Sequence, residues 1–297
     1  MKHPKKFMFW MAIAIAIYAA VLSGKARGAT PSFKDDVSGH GTPMILIPGL
    51  NSAGEVWDST VAHYKDQYEC HVLTLAGFAG QPPIPAPFLP KVESDLAAYM
   101  HEKHLEHAVV VGHSLGGWLA LSLAAHHPEL VGKLIIVDSL PAMGAIMNPD
   151  ISAADLASNA KQMRDGMLKQ DEATRAKYAR ASVESMVTAP ADLDRILAWG
   201  KTSDYNTTAE AMYELFASDL RGDLAKIASP TLVMGSWIAY EKYATEEQVT
   251  QTYVSQFRNL KGVDFEMAPK ARHFIMYDDP AWMFTQMDRF LGAGGKS

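Results

Sequence analysis

The sequence predicts an α/β fold: a mostly parallel central sheet with helices on both faces, interrupted by a helical cap insertion. Three observations carry this expectation. Short, almost wholly apolar runs recur along the chain and stop at glycine or proline, as strands buried on both faces do. Helical patterns separate several of these runs, and strand–helix alternation produces parallel sheets. Between residues 141 and 225 the alternation ceases and only helical stretches remain.

The first strand expected is Pro43–Ile47, stopped by Pro48-Gly49. Cys70–Leu75 follows and ends at Ala76-Gly77, then Ala108–Val111 ends at Gly112. Lys133–Val137, Thr231–Met234 and the weaker Val263–Met267 complete the set. Helical periodicity covers Val92–Lys103, Leu115–His126 and Pro280–Leu291. The proline-rich stretch Gln81–Pro90 reads as an extended surface loop, because proline fixes φ and lacks a backbone donor. The core thus occupies residues 30–140 and 226–297, with the cap at 141–225. Helices are expected in the cap at Ala153–Lys169, Asp171–Met186 and Thr208–Leu220. Six methionines (Met143, Met147, Met163, Met167, Met186, Met212) lie in it. Most are expected to pack the cap on the core, although methionine-rich surface also adapts to varied ligands.

The N-terminus is set apart by its chemistry. Lys2, Lys5 and Lys6 precede the uncharged run Phe7–Leu22, and small residues follow from Ser23 to Ala29. A basic start, an apolar middle and a small-residue end make a secretory signal over residues 1–29. The run is 16 residues long, short of the roughly 20 a spanning helix needs. Cleavage is expected between Ala26 and Thr30, giving an exported (periplasmic or secreted) protein with no membrane contact after cleavage; an uncleaved anchor is the alternative. The whole chain of 297 residues has a formal charge of -6; without residues 1–29, 22 basic and 33 acidic side chains leave -11. Such a surface repels polyanions and argues against nucleic acid as a partner. One cysteine, Cys70, excludes an intramolecular disulfide and a thiolate metal cluster; beside an apolar strand it reads as a core residue.

The chemistry is concentrated after the third strand. Gly112-His113-Ser114-Leu115-Gly116 is a G-x-S-x-G turn between an apolar strand and an apolar helix, the arrangement that lifts a serine above a sheet edge. A serine hydroxyl needs a base to become a nucleophile. Of the 11 histidines, His273 lies just after the last strand and before the helix opened by Asp278-Asp279-Pro280, where a base would face Ser114. His101, His104 and His107 form the other cluster; no nearby ligand pattern completes a metal site, so they read as a solvated helix end.

These features together resemble the α/β-hydrolase superfamily, in its serine esterase and lipase-like branch with a helical cap. The resemblance runs from Thr42 to Leu291 and rests on Ile47-Pro48-Gly49-Leu50, Trp57, Gly112–Gly117 and the His273 loop. It implies Ser114 as nucleophile, His273 as base, and the backbone N–H groups of Leu50 and Leu115 as an oxyanion hole. The family's acid usually stands about three residues beyond a glycine after the strand corresponding to Thr231–Met234, and here that position holds Ile238. Two carboxylates remain: Asp138, at the end of the preceding strand, and Glu241, three residues late; a water or backbone substitute is the third option. The implied reaction is acyl transfer on a carboxylic ester or lactone bearing a hydrophobic group, without cofactor or metal. Serine at the elbow disfavours dehalogenase and epoxide hydrolase chemistry. The alternatives are a cofactor-free lyase or haloperoxidase-like enzyme, or a non-catalytic binding protein that has lost the usual acid.

Overall fold

Every apolar run read from the sequence is a strand of one seven-stranded sheet. The computed structural model describes residues 31–292; the expected signal segment lies outside them. The strands are β1 (Phe33–Gly39), β2 (Thr42–Ile47), β3 (Tyr68–Leu75), β4 (Ala108–His113), β5 (Val131–Val137), β6 (Thr231–Ser236) and β7 (Val263–Ala268). Their order is β1-β3-β2-β4-β5-β6-β7. All neighbours are parallel except β1, which runs antiparallel to β3 with Phe33 opposite Leu75 and Gly39 opposite Glu69. Sequence reading misses β1 because Phe-Lys-Asp-Asp-Val-Ser-Gly is an edge strand with mostly exposed side chains, so it has no continuous apolar run to reveal it.

Alternation along the strands fills two cores, one on each face. Ile45, Val110, Leu134, Ile136 and Val233 face one side. Met44, Leu46, Val109, Ile135, Leu232 and Met234 face the other. Cys70 is fully buried in the second cluster, and burial pushes its thiol pKa up to about 11, so it is an inert core side chain.

The helices between strands are α1 (Asp58–Tyr64), α2 (Phe88–Glu102) and α3 (Leu115–His126). Helix α2 begins four residues before the expected Val92, so the proline-rich loop ends at Pro87 rather than Pro90. Two physical reasons account for this. Pro90 sits in the first turn, where a missing N–H costs no helical bond. The orphan amides of Phe88 and Leu89 donate to Glu214 Oε1 and Oε2 at 2.7 and 2.6 Å.

Between β5 and β6 lie four helices: α4 (Ala153–Leu168), α5 (Glu172–Met186), α6 (Pro190–Thr202) and α7 (Tyr205–Ala217). Ser152, Asp171 and Asp204 cap α4, α5 and α7 through side-chain oxygens. Helix α6 was not among the expected elements, and α7 starts and ends three residues before the expected Thr208–Leu220. The methionines divide: Met143 and Met186 pack against the two cores, whereas Met147 is 93% exposed and packs nothing. After β6 come α8 (Glu246–Gln256), α9 (Ile275–Asp278) and α10 (Pro280–Leu291). Among the described residues, no helix is long and apolar enough to cross a membrane.

Glu214 therefore joins the inserted helices to α2. Glu214→Ala leaves two amides without an acceptor and is expected to lower unfolding free energy by about 1–2 kcal/mol. Glu214→Gln, which keeps one oxygen, should fall between. Urea denaturation measures both; an alanine variant as stable as the parent would show that the contact contributes nothing.

Candidate active site

Strands β4 and β5 end side by side, and each delivers one polar residue on a left-handed backbone. Ser114 has φ 54° and ψ -122°, a conformation that costs of order 1–3 kcal/mol and persists only where the surroundings impose it. Those surroundings are visible. Ser114 N–H donates to Val137 O at 3.0 Å, and its carbonyl accepts from Gly117 N and Trp118 N at 2.8 and 3.1 Å. A methyl group on Gly112 would lie 2.2 Å from Gly116 O, and one on Gly116 would lie 2.3 Å from Ile47 O. The turn closes only because both positions lack side chains.

The Pro48-Gly49-Leu50 turn comes up against this elbow. A methyl group on Gly49 would stand 3.1 Å from Ser114 Cβ, so the two turns are in contact. Ser52 N–H closes the turn on Gly49 O at 3.2 Å. Asn51, at φ 58°, is held by the Thr208 hydroxyl, which donates to Asn51 Oδ1 at 2.7 Å. Leu115 is the first residue of α3. Among the described residues, the Leu50 and Leu115 amides donate to no protein group.

Asp138 follows β5 with φ 48° and is 6% exposed. Its carboxylate accepts from Ser236 N at 2.7 Å, Ser236 Oγ at 2.9 Å and Tyr253 Oη at 2.6 Å. The fourth partner is His273, whose Nδ1 lies 2.6 Å from Asp138 Oδ2. A carboxylate only accepts, so Nδ1 carries the proton and Nε2 is the ring nitrogen left as a base. Burial and the adjacent Asp138 hold the Tyr253 hydroxyl well above its ordinary pKa, so it remains a donor.

Of the two candidate acids, Asp138 is the one joined to His273. Glu241 is exposed at the end of the short 3-10 turn Ile238–Tyr240. It lines a depression of about 420 Å³ with Trp237 and Tyr243.

Four further residues shape the site, and sequence reading misses their part in it. His113, the second residue of the G-x-S-x-G motif, is fully buried and donates from Nε2 to His273 O at 3.0 Å. Its ring lies 4.6 Å from that of His273, and its Nδ1 has no partner among the described residues. Burial holds its pKa well below the ordinary histidine value. Asp278 accepts from Arg272 N at 2.9 Å and from Thr188 N at 2.8 Å, tying the His273 loop to the inserted helices. Ser236 and Tyr253 lie 98 and 115 residues from Asp138. The Gly235-Ser236 pair at the end of β6 is the one local signal that could have pointed there.

The model of the alpha/beta hydrolase family matches residues 44–286. A pimeloyl-[acyl-carrier protein] methyl ester esterase of Vibrio atlanticus is 34% identical over 113 residues, covering 38% of this chain and 42% of that protein. The match therefore spans about two-fifths of that relative's length. The protein of the same name from Aeromonas hydrophila is 29% identical over 262 residues, covering 86% of this chain and 97% of its own. A thermophilic esterase from Thermogutta terrifontis superposes with a TM-score of 0.72 at 18% identity, covering 90% of this chain and 96% of that one.

The buried His113 predicts a pH dependence of stability. Its folded pKa lies below the unfolded value of about 6.5, so below that pH the unfolded chain takes up a proton that the folded chain refuses. Stability is full above pH about 6.5 and falls with decreasing pH, by at most about 1.4 kcal/mol per unit for this group. His113→Gln should flatten the slope of unfolding free energy between pH 5 and 6.5. An unchanged slope in the variant would assign the effect elsewhere.

Proposed function

The chain belongs to the alpha/beta hydrolase family, and from that premise we propose that it cleaves a carboxylic ester or lactone carrying a hydrophobic group. The observation that carries this reading is the hydrogen bond from His273 Nδ1 to the buried Asp138 carboxylate, on a histidine whose ring centroid lies 4.6 Å from that of His113, the residue preceding Ser114. In the proposed reaction, Ser114 Oγ attacks the carbonyl carbon while His273 Nε2 takes the hydroxyl proton. Asp138 holds the imidazole in its Nδ1–H tautomer and stabilises the imidazolium that forms. The Leu50 and Leu115 amides, without an acceptor among the described residues, receive the developing oxyanion; each such donor is worth roughly a hundred- to a thousandfold in rate. His273 then returns the proton to the leaving alcohol, and water, deprotonated by the same nitrogen, releases the acid and restores Ser114.

The methyl ester esterase names of the Vibrio and Aeromonas relatives support ester cleavage. A non-catalytic reading has Ile238 at the usual acid position as its one support; the Asp138–His273 hydrogen bond supports catalysis instead. We also propose that the protein is exported, on the strength of the basic start, the uncharged Phe7–Leu22 run and the small residues up to Ala29.

A fluorophosphonate probe tests the nucleophile and p-nitrophenyl esters of graded chain length test the substrate class. The parent chain is expected to label at Ser114 and to turn over at least part of the ester series. Ser114→Ala should lose labelling and roughly a thousandfold or more of the rate. A parent chain that does not label would overturn the ester reading; labelling without turnover of any ester would favour lyase or haloperoxidase chemistry on the same residues.

A further inference from the structure

We propose that His101, His127 and Glu129 bind one divalent transition-metal ion, zinc by its donor set, at the end of the sheet opposite Ser114. Of the three histidines that read in the sequence as a solvated helix end, His101 alone gains such partners in three dimensions. His101 lies in the last turn of α2, His127 is the residue after α3, and Glu129 stands in the turn leading to β5. One nitrogen from each histidine and one oxygen of Glu129 all lie within 4.8 Å of one another.

The distances fit an ion better than they fit direct contacts. Glu129 Oε1 is 3.6 Å from His101 Nε2 and 3.8 Å from His127 Nδ1, too far for a hydrogen bond to either. Histidine–carboxylate pairs that are hydrogen-bonded in this protein are shorter, from 2.6 Å at His273–Asp138 to 3.2 Å at His63–Asp288. A tetrahedral zinc with bonds of about 2.0–2.1 Å spaces its ligand atoms by roughly 3.3 Å, so small side-chain rotations bring all three into coordination. Two imidazoles and one carboxylate suit zinc and its neighbours rather than magnesium or calcium, which prefer oxygen throughout. On the far side of the His101 ring, Glu106 Oε1 lies 3.9 Å from Nδ1, on the side where a carboxylate commonly orients a metal-bound imidazole.

The backbone that presents these groups is fixed. His107 N–H donates to Glu129 O at 3.2 Å, Ala108 N–H to Leu130 O at 3.0 Å, and His127 N–H to Leu123 O at 2.7 Å. The two loops can approach because Gly132 has no side chain: a methyl group there would lie 2.2 Å from His107 O. His101 and Glu129 are about half exposed and His127 about one-third, which leaves room for water as the fourth ligand. The ion would clamp the α2–β4 and α3–β5 connections together. Strand β4 separates this end from Ser114 by its whole length, roughly 20 Å, so the site stands apart from ester cleavage.

Calorimetric titration of the untagged full chain with zinc sulfate tests this. One zinc per chain is expected, with affinity lowered at least about tenfold in His127→Ala and in Glu129→Gln, as loss of one ligand of three requires. His104→Ala, in the same patch but outside the set, should bind zinc like the parent, and magnesium in equal amount should not compete. Ester hydrolysis should be unchanged in His127→Ala, which keeps this result separate from the reading of the catalytic site. Failure to bind zinc at millimolar concentration, equal binding by His127→Ala and Glu129→Gln, or displacement by magnesium would each overturn the proposal.

Discussion

The buried Asp138 carboxylate is the constraint on which the rest of the site depends. Removing an ionised carboxylate from water costs several kcal/mol unless donors replace the lost hydration. Four hydrogen bonds do so, from the Ser236 amide and hydroxyl, the Tyr253 hydroxyl and His273. Each comes from a different part of the chain or a different atom: the end of β6, helix α8, and the loop after β7. Satisfying one charge therefore fixes three elements relative to the end of β5, and the histidine inherits its orientation from that arrangement. The end of β6, where the family's acid usually stands nearby, here supplies donors to a carboxylate that follows the neighbouring strand β5.

The inserted helices complete this arrangement. Thr208 in α7 holds Asn51 beside the candidate oxyanion turn, and Thr188, after α5, shares the Asp278 carboxylate with the His273 loop. Arg272 adds hydrogen bonds to Glu184 O and Val187 O, and Phe274 N–H donates to Met186 O. The insertion thus touches both turns to which the proposed chemistry is assigned. Changes in its packing are expected to reach the positions of His273 and of the Leu50 turn.

Much of this was legible in the sequence because it depends on local pattern. Continuous apolar runs located six strands, and the glycines around Ser114 marked a turn whose tightness the structure explains atom by atom. The charged edge strand β1 was invisible because a half-solvated strand lacks such a run. Helix α6 was hidden for a related reason: its buried residues are Ile196 and Trp199 alone, too few to make a stripe. The choice between Asp138 and Glu241 could not be made from local signals, since Ser236 and Tyr253, which stabilise Asp138, meet it only across the sheet. His101, His127 and Glu129 are likewise separated along the chain, and helical spacing pointed to His104 instead.

The central claim is that the acid is Asp138, immediately after β5, where it orients His273. The most direct measurement compares kcat of Asp138→Asn and Glu241→Gln on one ester, with folding verified for both. Asp138→Asn should lose about a thousandfold or more, because an amide cannot fix the Nδ1–H tautomer or stabilise an imidazolium, while Glu241→Gln should retain the parent rate. Equal residual activity in the two variants, or the larger loss at Glu241, would contradict the account.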